Sequence, residues 1–360
     1  MQVNAATEFD SLVDLSARLG AEPLLVQAGT GNTSLKSDGV LWIKASGKWL
    51  AHAATEEILI PVNLGETLRR VHCNADPAGQ TAMIGGRALA ASVETAMHAV
   101  LPHRVVLHVH SVNTIAFAVR EDGPDRLKDR LDGLPWQWIP YTPSGLPLAH
   151  LIEAAVARNP ETAVLVLANH GLVVCGDSCA EAEALLREVE RRVSVAPRPF
   201  LEPGWDALHR MAAYGKWRVP TTASLHSIGA DPISRRIVSG GVLYPCQAIF
   251  LAPKVRVHSA STPDSELGGA DAPYVLIKDA GILLGHKPNP TELATLNGLV
   301  QVLQRIPAGA TVHYLAEGEV RDLLCADVYH YRELVEDNGA GHIAFPARSM
   351  ADSANMPMGS

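Results

Sequence analysis

The stretch RVVLHVHSVNTIA, residues 104–116, begins with a run of aliphatic and β-branched residues that predicts a short buried strand. His108 and His110 lie two residues apart on this strand, so strand alternation points both imidazoles to the same face. Two such imidazoles can share a cation, but an isolated pair is more often two unrelated polar residues at a strand end. The residues around the strand decide between these interpretations.

A third imidazole is predicted to lie near this pair. The run TAVLVLANHG, residues 162–171, predicts another strand, and it ends at His170. At the carboxyl ends of strands in α/β sheets, side chains project into the crevice where ligands bind. Because three histidines and a water form a common catalytic zinc arrangement, we predict a Zn²⁺ site, with Mn²⁺ or Co²⁺ as alternatives, on His108, His110 and His170.

A carboxylate precedes the histidine strand. The segment SVETAMHAVLP, residues 92–102, predicts a helix that stops at Pro102 and carries Glu94. A lone helical glutamate is ordinarily solvated, but a carboxylate beside a Lewis-acidic metal is a natural general base. That role requires a partly desolvated carboxyl, so we expect a raised pKa for Glu94. His98, one helical turn later, is interpreted as a histidine of the helix surface or one behind the metal ligands.

The chain resembles the class II aldolase/adducin superfamily, including the fuculose and rhamnulose phosphate aldolases, over about the first 195 residues. The resemblance rests on five motifs in order: GTGNTS (29–34), ASG (45–47), SVET (92–95), VLHVHSVNTIA (106–116) and LANHGLVV (167–174). It implies an α/β fold whose N-terminal domain has three αβα layers. It also implies that the three histidines bind zinc and that Glu94 acts as general base.

The resemblance further implies a substrate or anion pocket. Glycine-rich turns expose backbone N–H groups, and a helix start favours an anion, which agrees with the residues implied: Gly31, Asn32, Ser46, Gly47 and Ser92. Val93 stands where the fuculose phosphate aldolases carry a second serine, which puts phosphate as the anion in doubt. Nearby lysines could add positive charge to the pocket, but each is interpreted as a solvated side chain: Lys36, Lys44 and Lys48.

Three weaker signals accompany these motifs. Tyr141 lies four residues before Gly145, as does a tyrosine that assists proton transfer in aldolases of this family; an ordinary buried tyrosine is an equal alternative. Cys175 and Cys179 are interpreted as small apolar residues, because a second cysteine pair that could share a metal with them is missing. The GTGN turn lacks the full GxGxxG pattern and a preceding strand, which argues against dinucleotide binding.

The predicted reaction is a reversible retro-aldol cleavage of a ketose or ketose phosphate through an enediolate, with zinc stabilising the charge. A dehydratase, decarboxylase or epimerase of a sugar, sugar phosphate or sugar acid would begin from the same kind of intermediate and stays open. Glutamate at position 94 argues against the pentulose-phosphate epimerases of the family, which carry Asp at this position. A non-catalytic, adducin-like interaction module is the alternative from another class, although adducin-like members have lost metal ligands that this chain keeps.

The predicted domain organisation is a catalytic domain over residues 1–195, a proline-rich linker over 196–204, a smaller α/β domain over 205–345 and a flexible tail over 346–360. The smaller domain resembles the segment after the aldolase domain in bifunctional aldolase–dehydrogenase relatives, and its role is open. It is predicted to contain three features: a strand in GVLYPCQAIFLA (241–252), a hairpin formed by YVLIK and GILLG, and a helix over PTELATLNGLVQVLQRI (290–306).

Composition excludes several other classes of protein. Hydrophobic residues make up 47% and charged residues 19%, which indicates a globular chain, and a formal net charge of -8 argues against nucleic-acid binding. There is neither a signal-peptide pattern nor an apolar stretch of roughly 20 residues, so we expect a cytoplasmic protein without membrane contact. Five scattered cysteines do not read as a disulfide framework. Family precedent implies a homo-oligomer, tetramer or dimer, acting on a small carbohydrate-like substrate.

Overall fold

A computed structural model describes residues 5–78, 89–213, 215–268, 273–285, 288–324 and 326–339. Its centre is a seven-stranded sheet in the order β3-β2-β1-β4-β7-β6-β5. The strands are β1 (Asn32–Ser37), β2 (Val40–Lys44), β3 (Leu59–Asn63), β4 (Val105–Val109), β5 (Trp136–Ile139), β6 (Val164–Leu167) and β7 (Gly171–Gly176). The first seven helices are α1 (Ala5–Gly20), α2 (Leu64–His72), α3 (Thr95–Val100), α4 (Val112–Ala118), α5 (Gly123–Arg130), α6 (Leu146–Arg158) and α7 (Cys179–Val193).

Strand β4 shows how the layers form. Val105, Leu107 and Val109 pack in one apolar cluster with α1 and α7, while Val106 packs in another with α3 and α6. Alternating residues therefore bury opposite faces of the sheet, as strand geometry requires. The predicted α/β fold with three αβα layers is confirmed, and His108 lies on the face that α3 covers.

Most neighbouring strands of the large sheet pair antiparallel, whereas the prediction for His170 assumed an open parallel sheet. Within the large sheet only β5 and β6 pair in parallel, whereas β6 and β7 pair antiparallel from Val164↔Val174 to Leu167↔Gly171. His170 therefore lies in the tight turn between β6 and β7 rather than in the crevice of an open parallel sheet. The sequence interpretation ended the strand signal at Gly171 and missed β7, because the glycine in the NHG motif interrupts the apolar run.

The C-terminal region adds seven helices and a small sheet in the order β10-β9-β8 among the described residues. The helices are α8 (Trp205–Ala212), α9 (Ser227–Ala230), α10 (Pro232–Gly240), α11 (Pro245–Phe250), α12 (Pro290–Arg305), α13 (Glu317–Leu323) and α14 (Ala326–Gly339). The strands are β8 (Val257–His258), β9 (Tyr274–Ile277) and β10 (Gly281–Leu284). No helix of the described residues has the length and apolar character needed to cross a bilayer.

The predictions for this region have mixed outcomes. The hairpin is confirmed as β9 and β10, and the long helix is confirmed as α12, which begins with a capping box at Asn289 and Glu292. The strand predicted in residues 241–252 is wrong, because this segment forms α11. Pro245 occupies the first turn of that helix, where proline fits well. The predicted tail, 346–360, lies outside the described residues.

The C-terminal region shares an apolar cluster with the N-terminal one. Ile115 and Val119 of α4 belong to the same buried cluster as Leu299 and Leu303 of α12. The domain boundary at 196–204 stays a prediction, but α4 and α12 are held together by this common core.

Asn169 also joins the two regions, and we expect Asn169→Asp to lower the free energy of unfolding by about 2–5 kcal/mol. Its buried amide donates 2.8 Å hydrogen bonds to the carbonyls of Leu243 and His313, so a carboxylate would face two acceptors without a proton to share. Urea denaturation at pH 7 measures the loss, which should shrink as pH falls and the buried aspartate is protonated. Asn159→Asp, at an exposed asparagine, is the control; equal stability of both variants would contradict the expectation.

Candidate metal centre

Three buried imidazoles meet beside the end of β4. One ligand nitrogen from each of His108, His110 and His170 lies within 4.8 Å of the others. The ring centroids are 4.9–5.2 Å apart, and the ring planes are steeply inclined to one another. The structure thus brings together the three histidines predicted from the sequence, in an arrangement that could hold a divalent metal ion.

Gly171 allows this close approach. A Cβ atom at this position would lie 2.7 Å from the carbonyl oxygen of Val109 and 3.3 Å from Cε1 of His108. Any larger residue would push the β6–β7 turn, and His170 with it, away from the end of β4. The glycine of the NHG motif is therefore explained by packing against the histidine strand.

The hydrogen bonds of the imidazoles leave nitrogens free to bind a metal. His108 Nδ1 donates to the carbonyl of Leu172 over 3.1 Å, which leaves Nε2 facing the other histidines. Among the described residues, that buried Nε2 has no hydrogen-bond partner of good geometry. An orphaned buried nitrogen between two further imidazoles fits a cation such as zinc.

Burial also favours the protonation state that metal binding needs. Burial lowers the pKa of His110 well below its usual value, and burial likewise lowers the pKa of His170. Both imidazoles are therefore neutral near pH 7, and the neutral imidazole is the form that coordinates a metal.

Glu94 lies against the same cluster. Its Oε1 atom is 3.2 Å from His108 Nε2 and 3.3 Å from His170 Nε2, and its other oxygen accepts a hydrogen bond from the Asn32 amide. The residue is the N-cap of α3, directly before the helix on which it was predicted. A carboxylate oxygen thus faces the space between the imidazoles.

The pKa of Glu94 shifts in the direction opposite to the one expected. Burial raises this pKa, but the neighbouring His108 and His170 outweigh burial and hold it well below its usual value. The expected increase considered only the burial of the carboxyl group. The neighbouring imidazoles favour the charged carboxylate and lower its pKa. Glu94 is therefore ionised near pH 7.

The C-terminal region reaches the centre through Cys246, which the sequence did not connect with the metal site. Its Sγ atom lies 3.5 Å from Nδ1 of His110 and is buried. Burial raises the pKa of this thiol, so it stays protonated near pH 7. Cys246 follows His110 by 136 residues, and no spacing rule in the sequence links the two.

The residues expected to bind an anion divide into two groups. Three of them lie close to Glu94. Gly31 packs on the backbone of His108. The Asn32 amide donates a hydrogen bond to the Glu94 carboxylate, and Ser92 Oγ accepts a 3.2 Å hydrogen bond from the Glu94 N–H. Ser46 and Gly47 form a separate turn, in which the Ser46 N–H already donates to the carbonyl of Ala90. Anion binding by these residues stays a prediction.

Two of the three lysines that were predicted to be solvated are buried, which corrects the sequence interpretation. Lys44 is 2% exposed, and its Nζ donates to the carbonyls of Gly29 and Lys48 over 2.8 and 2.7 Å. Burial lowers the pKa of Lys44 to about 8. Lys36 is also buried and donates to carbonyls at the end of α3. These ammonium groups replace water by backbone carbonyls, which composition alone does not reveal.

Tyr141 and His98 contact other parts of the structure. Tyr141 packs against a cluster of Val242, Ala248 and Leu315, and burial raises its pKa to about 12. A catalytic role for Tyr141 stays a prediction. His98 is buried behind the centre, where its Nδ1 lies 2.7 Å from Ser34 Oγ, and burial lowers its pKa to about 3. The interpretation of His98 as lying behind the metal ligands agrees with this position.

Comparison with known proteins gives a family match over the part of the chain that holds this centre. Residues 10–196 match the Class II Aldolase and Adducin N-terminal domain. The uncharacterized oxidoreductase YuxG of Bacillus subtilis (strain 168) is 27% identical over 184 residues, which are 47% of this chain and 26% of YuxG. The chain thus spans about a quarter of the length of that relative.

Solved structures of the same kind cover a similar part of the chain. The N-terminal class II aldolase domain of a conserved protein from Thermoplasma acidophilum is 24% identical, with a TM-score of 0.46, covering 54% of this chain and 95% of its own. The l-fuculose-1-phosphate aldolase of Thermus thermophilus is 21% identical, with a TM-score of 0.36, covering 53% of this chain and 93% of its own.

Proposed function

The chain belongs to the class II aldolase and adducin family, and on that basis we propose that it is a zinc-dependent lyase. The reaction proposed is the reversible cleavage of a carbon–carbon bond in a ketose or ketose phosphate. The observation that supports this proposal most directly is the buried group of three imidazoles with the Glu94 carboxylate 3.2–3.3 Å from two of them.

The residues present suit the metal and the charge that the reaction develops. His108, His110 and His170 would hold the ion and leave a further coordination position for substrate. When bound, zinc would polarise a carbonyl oxygen of the substrate and lower the cost of the negative charge that forms there. Burial of the centre excludes water and strengthens each of these electrostatic interactions.

Glu94 would move the proton in this proposal. In the cleavage direction, its carboxylate accepts the proton of the hydroxyl group on the carbon that becomes the aldehyde. The carbon–carbon bond then breaks, and its electron pair passes to the carbon beside the carbonyl, giving an enediolate. Glu94 returns the proton to that carbon, which yields a dihydroxyacetone-like ketone. The Asn32 amide, which donates to the other carboxylate oxygen, holds the base in place throughout.

The proposal has further parts that rest on the family resemblance. We propose a homo-oligomer, either a tetramer or a dimer, acting in the cytoplasm on a small carbohydrate-like substrate. Residues 1–195 would form the catalytic domain, and the region from 205 onward would wall the centre through α11 and α14. Tyr141 would assist proton transfer, a role best tested after that of Glu94.

Proton exchange tests this function even while the aldehyde product is unidentified. We expect the zinc-loaded protein to exchange the carbon-bound protons of dihydroxyacetone for deuterium in D₂O, because deprotonation of that carbon is half of the aldol reaction. Proton NMR follows the exchange, and protein depleted of metal with a chelator and then reloaded with zinc is the control. Zinc-loaded protein that neither exchanges dihydroxyacetone nor cleaves any ketose in a panel would overturn the lyase proposal.

A further inference from the structure

The C-terminal helix α14 lies directly against the two glycine-containing turns near the centre. A Cβ atom at Gly47 would lie 2.7 Å from Cβ of Leu334, and one at Gly29 would lie 2.9 Å from a Cγ atom of Val335. Gly47 therefore lets the helix backbone approach its turn, and Gly29 makes room for the Val335 side chain. This packing gives them a function other than presenting N–H groups to a ligand.

Several contacts fix α14 in this position. The Trp49 indole N–H donates to the carbonyl of Val335 over 3.1 Å, and Val335 is fully buried in the apolar cluster that α4 and α12 share. The Arg332 guanidinium pairs with Glu292 of α12 at 3.0 Å. The ring of Tyr331 packs on Phe250 of α11, with centroids 5.9 Å apart. Helix α14 is thus joined to three elements of the surrounding structure.

The same turns are where an anionic group of the substrate was expected, and two donors there are already engaged. The Ser46 N–H donates to the carbonyl of Ala90, and Lys44 Nζ donates to the carbonyls of Gly29 and Lys48. A phosphate needs several free N–H donors and room for four oxygens. At these turns it would meet aliphatic side chains of α14 and donors that other acceptors occupy.

The atoms beside the histidines are polar, whereas the atoms of α14 beside the turns are aliphatic. On the side of His108 and His170, the Glu94 carboxylate and Asn32 Oδ1, which has no hydrogen-bond partner in the described structure, present acceptors to a hydroxyl. On the side of Gly29 and Gly47, Leu334 and Val335 present carbon atoms. The centre is therefore suited to a short polar fragment and offers little to a charged group beyond it.

From this arrangement we propose that α14 fills the expected anion pocket, so the protein acts on unphosphorylated hydroxycarbonyl compounds. The inference rests on the proposed lyase function, for which it names the substrate class. Leu334 and Val335 determine this specificity by occupying the space above Gly47 and Gly29, while the histidines and Glu94 keep their roles.

Equilibrium binding to the full-length, zinc-loaded protein tests the proposal with a matched pair of ligands. Isothermal titration calorimetry compares dihydroxyacetone with dihydroxyacetone phosphate on the wild type and on the Leu334→Gly/Val335→Ala double variant, which removes the Cβ atom above Gly47 and both Cγ atoms above Gly29. That variant removes aliphatic atoms without changing charge. We expect the wild type to bind the phosphate ester no more tightly than dihydroxyacetone. The double variant should gain about tenfold or more in affinity for the ester alone.

A variant at an exposed residue of α14 serves as the control for the binding experiment. Glu333→Gln changes an exposed residue of the same helix and should leave both affinities within about threefold of wild type. Val335→Ala alone, which removes both Cγ atoms above Gly29, replaces the double variant if circular dichroism shows that the latter does not fold. A wild type that binds the phosphate ester at least tenfold more tightly than dihydroxyacetone would overturn the proposal, because α14 would then be a lid that opens for phosphate.

The two proposals fail in different ways. If the wild type binds neither ligand but the loosened variant gains affinity for the ester, α14 is the element that excludes phosphate, and the deuterium-exchange assay alone judges the lyase function. If loosening α14 brings no gain in affinity for the ester, the specificity proposal is wrong even where the exchange assay succeeds.

Discussion

Replacing His108 by alanine is expected to empty the metal centre. Structural zinc sites bind with roughly 10–16 kcal/mol in total, so one of three imidazoles accounts for about 3 kcal/mol, or at least about a hundredfold in affinity. The carbonyl of Leu172 holds Nδ1 of His108, which leaves Nε2 without another partner of good geometry in the described structure. Elemental mass spectrometry on protein purified without a nickel column should show near one ion per wild-type chain and almost none in the variant.

A matched variant separates loss of a ligand from loss of the fold. His103→Ala removes a half-buried imidazole just before the same strand, away from the cluster, and should retain its metal. Circular dichroism should show the same secondary structure for His108→Ala as for metal-free wild type, which is the reference state. Full metal content in His108→Ala would contradict the three-histidine centre, and wild type that holds no metal after reconstitution would favour the adducin-like interaction module instead.

The parts of this protein that the sequence predicted correctly are encoded locally. Alternation predicted His108 and His110 on one face, although β4 ends at Val109 and His110 follows it directly, and apolar spacing located α12. His170 came from a strand end followed by glycine, although the structure places it in a β6–β7 turn. A local pattern predicts which way a side chain points, and this direction was enough to identify the histidines that meet at the metal centre.

What the sequence did not reveal depends on contacts between distant residues. Cys246 reaches His110 because α11 packs in the apolar cluster of α4 and α12, and its segment was predicted to be a strand from aliphatic content alone. Burial of Lys44 depends on two carbonyls from separate turns. The docking of α14 on Gly29 and Gly47 was hidden for the same reason, since a glycine-rich turn looks alike whether it approaches a ligand or a helix.

Replacing Glu94 by glutamine is the second large effect that we expect. A general base contributes typically about 10²–10⁴ to the rate, so kcat should fall by that factor while KM changes little. Glutamine keeps the shape of the side chain and an oxygen for the Asn32 amide, but it cannot accept a proton. Steady-state kinetics on the substrate found by the exchange assay, together with the deuterium-exchange rate itself, measures the loss.

Metal content distinguishes a base from a ligand in this experiment. Glu94 Oε1 lies as close as 3.2 Å to a ligand nitrogen, so a carboxylate that helped to hold the ion would release it on substitution. We expect the glutamine variant to keep its zinc, because three imidazoles suffice for a catalytic site. Glu190→Gln, at a partly buried carboxylate that accepts hydrogen bonds from Ser111 and Asn113, is the control and should alter stability without lowering kcat. Zinc loss in proportion to activity loss would make Glu94 a ligand, whereas full activity with full zinc would require another base.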